Sequence, residues 1–149
     1  MVVDGDKITK VNATAPATVT YDLRGLTLLP GLIDAHSHLT WYFNRQGRYH
    51  TGADGDTPVQ SMLSTAANAY ATLMAGVTTI QSPGSNEDKD LREWIAAGQI
   101  AGPRVLTSLG PLQNARATPD TLRALVRRRK SEGADLIKIF ASGSIRDGG

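Results

Sequence analysis

Short apolar, β-branched runs alternate with helix-type segments at nearly even spacing, and this alternation limits the fold more than any other feature of the chain. The later runs begin near Val77, Arg104 and Asp135, 27 and 31 residues apart. Strands alternating with helices predict an α/β fold with a parallel sheet and right-handed crossovers. A repeat of this length matches one βα unit of a (β/α)8 barrel, roughly 250 residues over eight units. The first interval, from Leu32 to Val77, is 45 residues. The excess lies in Trp41 to Asp56, which has many Gly, Arg and Tyr residues and no period, and reads as a long loop.

Local signals mark the segments. Val2 to about Val11 reads as a hairpin turning at Asp4-Gly5-Asp6. Val19 to Leu29 alternates loosely and predicts a further strand, so the N-terminal piece reads as β-rich. Pro30-Gly31 ends it, and Leu32 to Leu39 suits a buried strand. Thr57-Pro58-Val59-Gln60 combines an N-cap, a proline at the first helical position and the glutamine of a capping box. Leu63, Ala67, Tyr70 and Met74 then fall on one helical face, the predicted buried stripe. Val77 to Gln81 and Arg104 to Leu109 read as strands. Glu87, Asp88 and Asp90 suit the positive end of a second helix, running to about Gly98. Thr118-Pro119-Asp120 starts a third, with Leu122, Leu125 and Val126 as its buried stripe. Arg127 to Lys130 suits the negative end of that helix. Leu136 to Ala141 reads as the next strand, followed by the polar Ser142 to Gly149.

Only four such strands fit in 149 residues, so an eight-stranded barrel cannot close from this sequence. The chain is then part of a larger protein, a small open sheet, or a piece completed by association. Other classes are excluded more simply. Cysteine is absent, which removes disulfides, thiolate metal sites and a cysteine nucleophile. A net charge of +2 does not point to nucleic acid or a membrane. No apolar run approaches 18 residues, and no basic start with an apolar core marks a secretory signal. A cytoplasmic location is the expectation. No phosphate-binding glycine loop is present, which leaves nucleotide binding without support.

Two features carry chemistry. His36 and His38 flank Ser37, and residues i and i+2 of a strand share a face. Both imidazoles then project together from the carboxyl end of a strand, where α/β folds bind ligands. Two neutral imidazoles make half of a zinc-type site, or else two ordinary polar residues at a strand end. Lys138 lies in Asp135-Leu136-Ile137-Lys138-Ile139-Phe140. An ammonium is costly to bury in such a strand. Lys138 therefore snorkels outward or pairs with a carboxylate, or it is a neutral amine able to take up carbon dioxide as a carbamate. Asp34 shares the face of the histidines, as an orienting group or a locally bonded one. His50 reads as a surface-loop residue. Trp41 and Tyr42 read as packing residues ahead of the walls of a pocket, and Ser142-Gly143-Ser144 follows the last strand, where it could face the site.

Leu28-Leu29-Pro30-Gly31-Leu32-Ile33-Asp34-Ala35-His36-Ser37-His38-Leu39 resembles the strand-one signature of the amidohydrolase superfamily of metal-dependent hydrolases. Ala75-Gly76-Val77-Thr78-Thr79, Gly102-Pro103-Arg104-Val105 and Gly133-Ala134-Asp135-Leu136-Ile137-Lys138-Ile139 are similar to its next three strand segments, in the same order. Within the superfamily the likeness is to the branch of imidazolonepropionase-like proteins and Xaa-Pro dipeptidases. The resemblance implies the N-terminal part of a metal-dependent (β/α)8 TIM barrel, residues 30–149, preceded by part of a small β-sandwich, residues 1–29. It implies one or two divalent metal ions, usually zinc, with iron and manganese also suited to imidazole. His36 and His38 map onto ligands of the first metal, and Lys138 onto a bridging carboxylated lysine. The implied reaction is attack of a metal-activated hydroxide on an amide or related C–N bond. Its substrates would be small amides, lactams or dipeptide-like molecules, with no nucleic acid or membrane partner.

The superfamily's remaining histidine ligands and its catalytic aspartate lie on later strands, with no counterpart in these 149 residues. The chain alone is therefore expected to bind metal weakly and not to catalyse. Two readings of other classes stand beside this one. One is a non-catalytic half-barrel that self-associates as a homo-oligomer. The other is a small α/β domain that binds a small molecule.

Overall fold

The structure is a computed structural model and describes residues 1–12, 14, 20–112 and 117–140. The chain divides into two compact units, Met1–Pro30 and Gly31–Gly149. Ala141, Ser142-Gly143-Ser144 and the residues after them lie outside the described residues.

The first unit contains an antiparallel hairpin of β1 (Val2–Asp4) and β2 (Lys7–Lys10). Asp4 pairs with Lys7, which leaves Gly5 and Asp6 as a two-residue turn. Gly5 has φ 60°, a conformation glycine adopts without steric cost and tight hairpins need. The strand expected over Val19 to Leu29 does not form among residues 20–29. Instead the chain turns at Leu23–Leu26, with Gly25 at φ 84°. The described part of this unit is thus a single hairpin, and the rest of the expected sandwich half is not seen.

The second unit carries a parallel sheet in the order β3-β4-β5, formed by Leu32–Asp34, Val77–Ser82 and Arg104–Thr107. Helix α1 (Pro58–Met74) connects β3 to β4 and packs on β4; α2 (Asp88–Ala96) connects β4 to β5 and packs on β5. Helix α3 (Pro119–Ser131) follows. The starts of α1 and α3 are those read from the sequence. Thr57 accepts from the Gln60 backbone N–H while the Gln60 side chain accepts from the Thr57 N–H. Thr118 caps Thr121 in the same way. The basic end of α3 pairs with Glu132 through Arg128 and Arg129, so the run is a helix terminus holding its own counter-charge.

Ile80 pairs with Val105, and Ser82 with Thr107, so these four side chains form one face of the sheet. The core is Leu39, Ala69, Ile80, Leu91 and Val105, with Val77, Ile95 and Ile100 packed around it. On that face the apolar pair gives way, at the carboxyl end, to the polar pair.

Several expectations are corrected here. Helix α1 does not bury Leu63, Ala67, Tyr70 and Met74, which are exposed; it buries Thr65 and Ala69. A methyl group added at Gly102 would stand 3.2 Å from the Ala69 Cβ, so helix and backbone approach too closely for large side chains. Only the small face of α1 fits there. Likewise Leu122 of α3 is exposed, and Leu125 and Val126 are half-buried. In β3, Leu32 and Ile33 are 61% and 70% exposed rather than buried, because the helices pack on β4 and β5 and not over the faces of this edge strand. Leu136 to Phe140 is not a regular strand. It meets the preceding segment through one parallel bridge, Leu112 to Ile139. The reason is local: β5 ends at Thr107, and Leu109 and Gly110 turn into the left-handed region at φ 53° and 94°. Among the described residues, no extended neighbour remains for a continuous ladder.

The segment from Trp41 to Asp56 is more ordered than a long loop. It folds on itself through an antiparallel bridge between Phe43 and Tyr49 and a 3-10 turn over Gly52–Asp54. Among the described residues, no helix is long and apolar enough to cross a membrane.

Candidate active site

Strand β3 stops at Asp34, two residues before the first histidine. Its Oδ1 accepts from the His36 backbone N–H at 3.0 Å, which turns the chain out of the strand. Asp34 is thus locally bonded and does not bond an imidazole. The Ser37 N–H still donates to Gln81 O of β4 at 2.9 Å, so the chain keeps parallel pairing as it leaves the sheet. His36 and His38 therefore come to the same side beyond the strand end. Their ring centroids are 5.4 Å apart, with a tilt of 57°.

Two imidazoles on one tetrahedral metal have centroids about 5 Å apart, given a metal–nitrogen bond of about 2.1 Å. The observed spacing fits that arrangement. A ligating imidazole must also be neutral. Burial lowers the His38 pKa from its ordinary value, with smaller contributions from His36 and from the Lys138 charge. Lys138 itself is half-buried. Among the described residues it forms no ion pair with a carboxylate. Instead its Nζ lies 5.1 Å above the centre of the Phe140 ring.

Of the three residues singled out from the sequence, the two histidines are therefore brought together. They do not by themselves complete a metal centre. Among the described residues, no three His, Asp or Glu side chains gather closely enough to hold a cation. The donor set fits two positions of a divalent site, and Lys138 adds a third only if its amine carries an anionic oxygen group.

Aromatic side chains of the following loop pack on His38 and on one another. Trp41 stacks on His38, with centroids 4.1 Å apart and planes 10° from parallel. Tyr49 meets Trp41 edge-on at 5.6 Å. His50 is not a loose surface residue: its side chain is 19% exposed and stacked on Tyr42 at 4.3 Å. The Tyr42 hydroxyl donates to Asp56 at 2.9 Å and lies 3.0 Å from the Ser61 hydroxyl, tying the loop to α1. Pairing across a folded loop leaves no periodic trace, which is why these contacts were not legible. The one usable signal was Trp41 three residues after His38, the span of a single turn.

A second polar group lies at the same ends of β4 and β5. Asp88, Ser82, Thr107 and Ser108 are all fully buried. Asp88 Oδ2 accepts from the Thr107 hydroxyl at 3.2 Å. Burial pushes the Asp88 carboxyl above its ordinary value, opposed by the neighbouring Ser82 and Thr107 hydroxyls and the Ser85 N–H.

Comparison with solved structures gives a consistent fold. One is a prolidase complexed with N-methylphosphonate-L-proline, with a TM-score of 0.68 and 22% identity over 89% of this chain and 38% of that one. Another is a Xaa-Pro dipeptidase with methionine bound in its active site, with a TM-score of 0.62 and 25% identity over 77% of this chain and 34% of that one. A third is a putative prolidase from Bifidobacterium longum, with a TM-score of 0.55 and 32% identity over 78% of this chain and 27% of that one. The chain thus spans well under half the length of these neighbours. No curated protein matches the sequence. The model of the amidohydrolase family matches residues 27–149, a stretch that contains the whole parallel sheet, both histidines and Lys138. With a parallel α/β sheet and this match over most of its length, the chain belongs to the amidohydrolase family.

Proposed function

We propose that the chain contributes the first part of the active site of a metal-dependent amidohydrolase that cleaves a C–N bond in a small, dipeptide-like substrate. The observation that carries this reading is the pairing of the His36 and His38 rings just beyond the carboxyl end of β3. The prolidase and Xaa-Pro dipeptidase names among its structural neighbours support the substrate class. Amides and lactams of similar size fit the same chemistry.

His36 and His38 would hold one divalent cation, with zinc the best match to two imidazoles. Bound there, such a cation supplies Lewis acidity toward a carbonyl oxygen and makes water more acidic. The protein's own part is to hold the imidazoles in place, and burial lowers the His38 pKa, which favours its neutral form. The Lys138 ammonium would first give up a proton to become an amine; the amine would then form an N–C bond with carbon dioxide and give up a second proton, which leaves an anionic oxygen donor. Further ligands and a proton-handling carboxylate are needed for turnover. We propose that the 149 residues alone bind the cation weakly and hydrolyse little. In this reading, the wider barrel of residues 30–149 and the sandwich of residues 1–29 are completed by more polypeptide.

The test is metal content. The wild-type chain, His36→Ala, His38→Ala and Lys138→Ala are equilibrated with zinc and bicarbonate, and bound zinc is measured by elemental analysis. Loss of zinc in both histidine variants is expected. For Lys138→Ala, loss of the bicarbonate dependence is expected. Equal zinc in wild type and both histidine variants would overturn the ligand assignment.

A further inference from the structure

We propose that Trp41 is a positioning residue for His38, acting with Gly84 and Asn68 to hold the imidazole in one orientation. The proposal rests on the reading of His38 as a metal ligand and adds to it the residues that keep the ligand in place.

The geometry encloses the His38 ring on two sides. One face is covered by the Trp41 indole, 4.1 Å away and within 10° of parallel. The Nδ1–Cε1 edge is turned toward Gly84, just beyond β4. A Cβ at Gly84 would stand 2.5 Å from Nδ1 and 2.6 Å from Cε1, so no other residue fits without moving the ring. These contacts leave Nε2 as the nitrogen free to bind a cation.

Trp41 is itself held. Its N–H donates to His38 O at 3.1 Å, closing the turn that carries the indole back over the imidazole. From α1, the Asn68 side-chain amide donates to Leu39 O at 2.8 Å and to Trp41 O at 2.9 Å. Leu39 is 2% exposed and sits in the core, so the turn is tied to the rigid part of the unit at both ends. Tyr49 supports the indole edge-on. Trp41 remains 50% exposed, so core burial does not account for a large aromatic side chain at this position. Its main contact is the imidazole. Groups that orient a ligating histidine commonly change metal affinity by about 10–100-fold when removed.

The experiment uses the full 149-residue chain. Imidazole protons are followed by NMR, and zinc affinity is measured by competition with a chromogenic chelator. A ring stacked under an indole has its protons shifted upfield, and the His38 signal is identified by its loss in His38→Ala. We expect Trp41→Ala to remove the upfield shift and weaken zinc binding about tenfold. Trp41→Phe, which keeps an aromatic face, should retain most of both. Gly84→Ala should displace the ring and reproduce the Trp41→Ala result. The NMR spectrum of each variant shows whether it is folded, and rescue by Trp41→Phe separates positioning from general damage. If Trp41→Ala binds zinc as wild type does while His38→Ala does not, the positioning role is overturned and the ligand reading stands. If His38→Ala binds as wild type does, the ligand reading fails and the positioning role falls with it.

Discussion

The Asp88 carboxylate, the first residue of α2, accepts from the Thr107 hydroxyl at the end of β5 at 3.2 Å, with both side chains fully buried. The Thr107 hydroxyl in turn accepts from the Leu109 N–H at 3.0 Å. One buried acid thus joins the start of a helix to the point where the neighbouring strand turns away.

Burial raises the Asp88 pKa above the ordinary 3.8, so the folded protein holds this proton more tightly than the unfolded chain. The stability Asp88 contributes is then full below 3.8 and is lost as pH rises through the folded value. Asp88→Asn keeps an acceptor for Thr107 and never ionises. Its melting temperature relative to wild type should rise with pH between 4 and 8, as measured by thermal denaturation across that range. Asp88→Ala removes the acceptor and should cost about 1–3 kcal/mol.

The Thr57 cap makes a local prediction. Thr57→Ala removes the acceptor for the Gln60 N–H and should destabilise the unit by about 1 kcal/mol. Urea denaturation followed by helical circular dichroism would read it. A loss of zero would show that the first turn of α1 is held from elsewhere.

The two faces of α1 and the core of α2 should respond in opposite ways. Leu91 is 1% exposed, and Leu91→Ala should cost about 2–5 kcal/mol. Leu63 is 66% exposed, and Leu63→Lys should change stability by no more than about 0.5 kcal/mol. Equilibrium unfolding of the two variants would distinguish this packing from one in which Leu63 is the buried stripe.

Asp135 links the segment that carries Lys138 to the sheet. Its Oδ2 accepts from the Thr107 N–H at 3.0 Å and from Arg92 Nη1 at 2.6 Å. Asp135→Ala leaves both donors without this partner and should cost about 1–2 kcal/mol, less than a fully buried pair because solvent screens it. Hydrogen exchange at the Phe140 N–H, which donates to Leu112 O, should accelerate in the variant as the segment loosens.

The signals that were legible in the sequence are the ones whose physics is local. A threonine three residues before a glutamine, with proline between, satisfies helix N–H groups wherever the helix goes, so α1 begins where expected. The Gly5 turn is also local, and so is the βα spacing that orders β3, β4 and β5. The motif around His36 and His38 was legible as a residue pattern, but the strand stops at Asp34, so the turn at Asp34 and not strand alternation precedes the two rings.

What a side chain faces is a different matter. Leu63, Tyr70 and Met74 form a regular apolar stripe, yet the sheet accepts the face with Thr65 and Ala69, because the close approach near Gly102 admits only small groups. Leu32 and Ile33 read as buried, but burial needs an element packed over the faces of β3, and the helices pack on β4 and β5 instead. The stacking of Trp41 on His38 and the closing of Asp88 on Thr107 join residues from separate elements. By itself the sequence determined where α1 and α3 begin and the order of β3, β4 and β5, since these follow from bonds and spacing over a few residues. Only the tertiary structure decided which faces are buried and what holds each imidazole, since those depend on distances between segments that no local pattern encodes.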